Sequence, residues 1–263
     1  MNDRVSIEIT DGVADVRLNR ADKMNALDPA MFQGIAAAGA TLASATNVRA
    51  VVLSGAGRAF CAGLDMGSFA GIGGGAVDLA ARSHGSANLF QHVAWLWRQL
   101  PMPVIAAVHG VAFGGGFQIM LGADVRIAAP GTKLSIMEIK WGLVPDMAGI
   151  ALTRGLMRDD VLRELTYTGR IFTAEEGVAN GCITRLDPEP HAAAMAVARE
   201  IAAKSPEAVR GAKRLYNQAV DQDAAALLRA ESHEQKSLVG RPNQMEAVMA
   251  NIEKRAPVFR DEA

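Results

Sequence analysis

The 263-residue chain has the length of one large domain, and half of its residues are hydrophobic, enough for a substantial core. Its 27 basic and 28 acidic residues nearly cancel, and no basic stripe with interleaved aromatic residues indicates nucleic-acid binding. Two cysteines cannot form a disulfide framework, and neither a signal-peptide pattern nor a charge-free apolar run of about 18 residues is seen. We therefore expect a cytoplasmic protein that does not associate with membranes.

The first quarter of the chain is predicted to contain a β-hairpin, a helix and a buried strand. Alternating apolar residues on both sides of Asp11-Gly12 predict the hairpin between Val5 and Leu18. Asp28-Pro29 is typical of a helix start, and we expect this helix to end near Ala43. The apolar run Arg49–Leu53 predicts the buried strand.

A glycine triplet marks the middle of the chain. The glycine-rich segment Gly67–Gly75 predicts a mobile loop, and a helix follows from about Ser86 to Leu100. The apolar run Val104–Val108 predicts a buried strand, after which Gly114–Gly116 leads into another helix. Helix starts have backbone N–H groups without intrahelical partners, and glycines let a ligand approach them. The triplet is therefore a candidate site for a phosphate or for the oxyanion of a reacting carbonyl, although such glycines also serve close packing.

Strands are next predicted near Val125–Ala128, Lys133–Ile136 and Cys182–Leu186. Helices dominate the rest of the chain, at Met147–Arg154, Asp159–Thr168, Ala174–Asn180, His191–Ser205, Glu207–Asp221, Asp223–Val239 and Gln244–Lys254. Alternation of strands and helices followed by a helical tail indicates an α/β fold. We predict a core over residues 1–190 and a helical region over residues 191–263.

Two turns follow two separate core strands. If the strands are parallel neighbours, Ala62–Asp65 and Gly114–Gly116 lie at the same edge of the sheet. The N–H groups of Leu64 and Gly115 would then converge on one oxygen, as acyl and enolate chemistry requires.

Five motifs, in the same order, resemble the crotonase (enoyl-CoA hydratase/isomerase) superfamily. They are Asn19–Leu27, Arg58–Asp65, His109–Gly116, Met137–Pro145 and Ile252–Phe259, and together they span nearly the whole chain. The resemblance implies a ββα spiral core with a helical C-terminal trimerisation region that also covers the pocket. It further implies a homotrimer or a dimer of trimers that acts on acyl-CoA thioesters.

The resemblance also assigns site residues. Leu64 and Gly115 would hold the thioester oxygen as an enolate forms, and Lys254 would reach a CoA phosphate. The positions that would contact the substrate are Lys23, Met24, Ala62, Gly63, Asp65, Met66, Gly67, Gly114, Gln118 and Lys254. Coenzyme A is part of the substrate, so no separate cofactor and no metal are expected.

The acid and base positions depart from the pattern of family hydratases, which use two glutamates. Glu138 matches one of them, but Gln118 stands at the other, and an amide does not accept a proton at neutral pH. Dienoyl-CoA isomerases of the family carry a Glu/Asp pair that matches Glu138 and Asp146. The chain is therefore predicted to move a double bond, with Glu138 as the main base and Asp146 as the second proton-transfer group.

Other interpretations remain open. Asp146 could be a helix N-cap, Glu138 could face solvent on a strand edge, and Gln118 could simply line the pocket. Trp95 and Trp97 could wall the acyl pocket, although core packing is the simpler role. The alternative functions are hydration of a 2-enoyl-CoA and non-catalytic acyl-CoA binding.

Overall fold

The computed structural model describes residues 3–65, 67 and 78–261, and this part of the chain contains nine strands and ten α-helices. The strands are β1 (Val5–Thr10), β2 (Val13–Leu18), β3 (Ala50–Gly55), β4 (Val104–Val108), β5 (Val111–Phe113), β6 (Val125–Ala128), β7 (Lys133–Ser135), β8 (Phe172–Thr173) and β9 (Arg185–Leu186). The helices are α1 (Pro29–Ala43), α2 (Leu89–Gln99), α3 (Gly115–Leu121), α4 (Gly149–Thr153), α5 (Asp159–Thr168), α6 (Ala174–Asn180), α7 (Pro190–Ala202), α8 (Pro206–Gln218), α9 (Ala224–Leu238) and α10 (Pro242–Glu253).

A six-stranded sheet of order β1-β2-β3-β4-β6-β9 forms the centre of the fold. The hairpin β1–β2 is antiparallel and every other pairing is parallel, which confirms the predicted hairpin and the α/β class. Helix α1 has its predicted bounds, because the Asp28 side chain accepts a hydrogen bond from Met31 N at 2.8 Å and caps the first turn.

A second sheet has the order β5-β7-β8, and its strand β5 directly precedes the glycine triplet. The chain leaves β4, turns at His109-Gly110 and enters β5 before α3 begins. The prediction that β4 runs straight into the glycine turn is therefore wrong. Strand β5 has only three residues, too few for a periodic pattern to be visible in the sequence.

Two apolar clusters hold the sheet between helices. One joins α1, α2 and α3 to one face and buries Trp97, whose indole N–H donates to Val93 O at 3.0 Å. On the other face, Ala194 and Ala198 of α7 pack with Val52 and Ile105. Helix α7 thus packs into the same core as the strands. The predicted boundary between a core over residues 1–190 and a helical region over residues 191–263 stays a prediction.

Within the described ranges, no helix combines the length and the apolarity that crossing a membrane requires.

Candidate active site

An extended segment beside β5 brings the two predicted turns together. Cys61 N donates to Val111 O and Phe113 N donates to Cys61 O, both at 3.1 Å, so Cys61 pairs with Ala112 in a parallel bridge. Further along both segments, Gly63 lies next to Gly115, since a Cβ atom at Gly63 would be 3.7 Å from Gly115 N. Strands β3 and β4 are parallel neighbours and end at the same edge of the sheet, as predicted, and the pairing of Cys61 with Ala112 then holds the two following turns together.

The backbone around Leu64 is fixed while its own N–H group stays available. Leu27 N donates to Gly63 O at 2.8 Å, and Asp65 N donates to Leu27 O at 3.0 Å. Gly115 is the first residue of α3, where an N–H group has no intrahelical acceptor. Among the described residues, neither Leu64 N–H nor Gly115 N–H has an acceptor.

Glycine is required at two positions of this arrangement. Gly63 has φ +88°, and a Cβ atom there would lie 2.6 Å from Phe113 O. Gly114 has φ +49°, and a Cβ atom would meet Glu138 Oε1 at 3.4 Å. Side chains at these positions would strain the backbone and separate the two turns.

Polar side chains of the Asn19–Leu27 motif hold the Ala62–Asp65 turn and the residues before it through hydrogen bonds. The Asn25 amide donates to Ala59 O at 2.8 Å and to Phe60 O at 3.1 Å. Arg20 donates to Asp65 Oδ2 at 2.6 Å, and this hydrogen bond lowers the pKa of the Asp65 carboxyl. The carboxylate of Asp65 is therefore engaged in a contact within the protein.

A cavity of about 350 Å³ opens in front of the two N–H groups. It is lined by Phe32, Ala62, Gly63, Leu64, Leu79, Phe90, Phe113, Gly114, Gly115, Met137, Glu138, Trp141, Leu143, Asp146 and Met147. Glu138 and Asp146 are the ionisable side chains in this wall, and nearly all the others are apolar. The cavity can therefore hold an apolar acyl group with its carbonyl at the N–H pair.

The two carboxyl groups lie in surroundings that favour their protonated forms. Glu138 begins a 3₁₀ turn, Glu138–Trp141, and is half-buried; burial raises its pKa, and the nearby Asp146 charge adds to the rise. Desolvation also raises the pKa of Asp146, although its side chain is open to the cavity. In the described part of the chain, neither carboxyl group forms an ion pair. Such perturbed carboxyl groups in a cleft are typical of acid–base sites.

Gln118 lies behind Glu138 and is almost fully buried. Its Nε2 donates to Glu138 Oε1 at 2.6 Å, and its own Oε1 accepts from Met147 N at 2.9 Å and from Gly149 N at 2.8 Å. Glu138 Oε2 is buried and has no hydrogen-bond partner among the described residues.

The structure brings some predicted site residues to the cavity and leaves others away from it. Its wall contains Leu64, Gly115, Glu138, Asp146, Ala62, Gly63 and Gly114. Lys23, Met24, Asp65, Gly67 and Lys254 lie outside that wall. Met66 and most of the predicted Gly67–Gly75 loop fall outside the described residues.

Two alternatives for the carboxyl groups are wrong. Asp146 is not a helix cap, because α4 begins at Gly149 and its N-cap residue is Ala148, which offers no side-chain acceptor. Glu138 is not on a strand edge, because β7 ends at Ser135.

Sequence reasoning missed the aromatic part of the wall. The rings of Phe32 on α1 and Phe90 on α2 meet edge to face, with centroids 4.9 Å apart. These residues come from distant parts of the chain, so no local pattern links them. Phe113 directly precedes the glycine triplet and could have been proposed from that position. Trp97 lies in the core and Trp95 packs against it, so neither lines the cavity.

Comparisons with known proteins agree on one family. A family model described as enoyl-CoA hydratase/isomerase matches residues 8–262. The mitochondrial Delta(3,5)-Delta(2,4)-dienoyl-CoA isomerase of Mus musculus is 31% identical over 220 residues, which cover 79% of this chain and 67% of that protein. The enoyl-CoA hydratase structure from Bacillus anthracis superposes with a TM-score of 0.90 at 30% identity, covering 98% of this chain and all of the other. An enoyl-CoA hydratase from Mycobacterium smegmatis gives a TM-score of 0.83 at 28% identity, covering 97% and 98% of the two chains.

Proposed function

Because the chain belongs to the enoyl-CoA hydratase/isomerase family of enzymes and has the crotonase fold, we propose that it isomerises the double bonds of a dienoyl-CoA thioester. Its site supports this reaction better than addition of water. The observation that carries the proposal is the pair of carboxyl groups on the cavity wall, Glu138 and Asp146, together with an amide at Gln118.

The reaction begins with removal of a proton next to the thioester. The thioester oxygen accepts hydrogen bonds from Leu64 N–H and Gly115 N–H, and Glu138 takes a proton from carbon 2 of a 3,5-dienoyl chain. The electron pair of the broken C–H bond spreads through the diene onto the thioester oxygen and forms an enolate. Two preorganised donors stabilise this charge, and losing one typically costs about 2.7–4 kcal/mol.

The second half of the reaction returns a proton at the other end of the diene. Protonated Asp146 donates its proton to carbon 6, the double bonds shift to positions 2 and 4, and the enolate collapses to the thioester. One proton leaves and one enters, so no water is consumed. The raised pKa of Asp146 supports this role because it keeps more of the carboxyl protonated near neutral pH.

Gln118 argues against ordinary hydration. A hydratase of this family pattern needs a second carboxylate to activate water, and an amide accepts no proton at neutral pH. The amide oxygen of Gln118 is moreover already bonded to Met147 N and Gly149 N, so it is not available to hold a water molecule in front of the substrate.

The rest of the assignment comes from the resemblance. Contacts of Lys23, Met24, Gly67 and Lys254 with the CoA portion are proposals, and Lys23 and Lys254 are exposed enough to reach a phosphate. The homotrimer or dimer of trimers, the cytoplasmic location and the absence of a separate cofactor stay predictions.

Two substrates separate the candidate functions. Purified protein is incubated with a 3,5-dienoyl-CoA and, separately, with crotonyl-CoA, and the absorbance of each conjugated system is followed. We expect a rise in 2,4-dienoyl absorbance and little loss of crotonyl absorbance. Rapid loss of crotonyl absorbance would instead indicate hydration, and acyl-CoA binding without turnover of either substrate would indicate a binding protein.

A further inference from the structure

The amide of Gln118 has its orientation fixed by the backbone. Its Oε1 accepts two hydrogen bonds, from Met147 N and Gly149 N, and an NH₂ group in that place could accept neither. The NH₂ group must therefore face Glu138, and the 2.6 Å contact between Gln118 Nε2 and Glu138 Oε1 is a donation to the carboxylate.

This direction decides which carboxylate oxygen of Glu138 carries the proton when the group is protonated. Glu138 Oε1 is occupied as an acceptor from Gln118, so a proton bound to Glu138 is placed on Oε2. Oε2 has no partner among the described residues and is shielded from bulk solvent. Glu138 is thus a carboxylate with one oxygen held by Gln118 and the other buried without a partner among the described residues.

The same side chain also anchors the segment that carries the second carboxyl group. Met147 directly follows Asp146, and Gly149 begins α4 two residues later. Gln118 is therefore bonded to Glu138 on one side and to the backbone next to Asp146 on the other. It is the side chain through which the two carboxyl groups are positioned relative to each other.

We propose that Gln118 is a positioning residue, which orients the Glu138 carboxylate by donating to Oε1 and which holds the Asp146 segment in place. The inference rests on the proposed isomerase function for its kinetic consequences. Its structural part, donation from Gln118 to ionised Glu138, can be tested without any turnover.

Two variants test the donation. Gln118→Glu keeps an oxygen for Met147 N and Gly149 N but replaces the donor by a second carboxyl group. Gln118→Met keeps the approximate length and removes both functions. Thr153→Val is the matched control, because Thr153 is buried in α4, donates to Gly149 O at 2.9 Å and touches neither Gln118 nor Glu138 through a hydrogen bond.

The titration of the Glu138 carboxyl is followed by ¹³C NMR, with its signal assigned by its loss in Glu138→Gln. We expect its pKa to rise by about one pH unit in Gln118→Met, since a hydrogen bond to the ionised form is lost. We expect at least the same rise in Gln118→Glu, where two adjacent carboxyl groups cannot both ionise readily. Thr153→Val should leave the titration unchanged.

The kinetic consequence is measured on a 3,5-dienoyl-CoA. We expect kcat to fall about tenfold or more in both Gln118 variants, with KM changed less than threefold and the acid limb of the pH profile moved upward. Thr153→Val should keep kcat within about twofold of the wild-type value.

The outcomes separate this inference from the proposed function. An unchanged Glu138 titration in Gln118→Met overturns the inference, even if the wild-type protein is an active isomerase. A shifted titration in a protein without isomerase turnover supports the positioning and refutes the proposed function. If Gln118→Met does not fold, Gln118→Leu takes its place in the titration, because it also removes the donor without adding a charge.

Discussion

The fold gives the buried charge of Lys213 a full set of partners, whereas it leaves the carboxyl groups of the cavity without a cation among the described residues. Lys213 on α8 donates to Trp97 O at 3.0 Å, to Met102 O at 2.9 Å and to Asp124 Oδ2 at 2.8 Å. Asp124 Oδ2 also accepts from Val104 N at 2.7 Å. All three donors of the ammonium group are thus used, and an opposite charge is among the acceptors.

The carboxyl groups of the cavity have no such compensation. Glu138 has one oxygen bonded to a neutral amide and one without a partner, and no described cation pairs with Asp146. Burial raises the pKa of both groups, whereas around Lys213 the attraction of Asp124 opposes the effect of burial on the lysine pKa. The fold thus pairs a charge that serves packing and leaves unpaired the charges that can serve proton transfer.

The largest expected effect is the loss of turnover in Glu138→Gln. This variant keeps the shape of the side chain and removes the proton acceptor, so kcat on a 3,5-dienoyl-CoA should fall about 10³-fold. Binding of a non-reactive acyl-CoA, measured by calorimetry, should change little. A kcat within tenfold of the wild-type value would show that Glu138 is not the base.

Lys213→Met should instead lower stability and spare chemistry. The variant removes the cation beside Asp124, whose side chain is partly exposed, and the donor to the carbonyl oxygens of Trp97 and Met102. Each buried polar group left without a partner typically costs about 1–3 kcal/mol. Urea unfolding measures the free energy, and turnover per folded molecule should stay within about twofold. The control is Lys236→Met, at an exposed position of α9, which should change stability by less than about 0.5 kcal/mol. Equal losses in the two variants would contradict the role of the ion pair.

Asp146→Asn should lower kcat less than Glu138→Gln does. Solvent reaches the cavity side of Asp146, so water can return the second proton inefficiently, and we expect a loss of about 10²-fold. Asp160→Asn on the exposed start of α5 is the matched surface control. Unchanged kcat in Asp146→Asn would remove this residue from the mechanism.

The smallest expected effect is a pH-dependent difference in stability. Burial raises the pKa of Glu138 in the folded state, so the folded protein binds this proton more tightly than the unfolded chain. The corresponding stability is present below the unfolded pKa of about 4.3 and is lost as pH rises through the folded pKa. Glu138→Gln lacks this loss, so it should gain stability relative to the wild type between pH 4 and pH 8. The gain is about 1.4 kcal/mol for every pH unit that separates the folded pKa from the unfolded pKa. A constant difference between the two proteins would contradict the raised pKa.

Elements with local signals could be predicted from the sequence. The bounds of α1, α5 and α6 match the structure, because a capping residue or a clear helical period marks their ends. The hairpin β1–β2 follows from Asp11-Gly12, whose residues both adopt positive φ. In the second sheet, β7 was predicted near Lys133–Ile136, whereas β5 and β8 have only three and two residues and left no comparable signal.

The candidate site could likewise be predicted from the sequence only where a local motif marks its residues. Leu64, Gly115 and Glu138 could be proposed because each lies in a recognisable motif, and Asp146 because it directly follows the Met137–Pro145 motif. The sequence did not indicate that Gln118 bonds to Glu138 and to the backbone of Met147, because those contacts depend on how α3 and the turn before α4 pack together. Residue types can be read from the sequence, whereas the direction of a hydrogen bond comes from the packed structure.

The main proposal is that Glu138 removes a proton from the acyl chain and that Asp146 returns one further along it, without addition of water. The most direct test is to incubate the protein with a 3,5-dienoyl-CoA in D₂O and to analyse the product by mass spectrometry and NMR. We predict a 2,4-dienoyl-CoA with deuterium at carbon 6, formed at least about 10²-fold more slowly by Asp146→Asn. A product heavier by one molecule of D₂O, with a hydroxyl group on the acyl chain, would contradict this proton transfer.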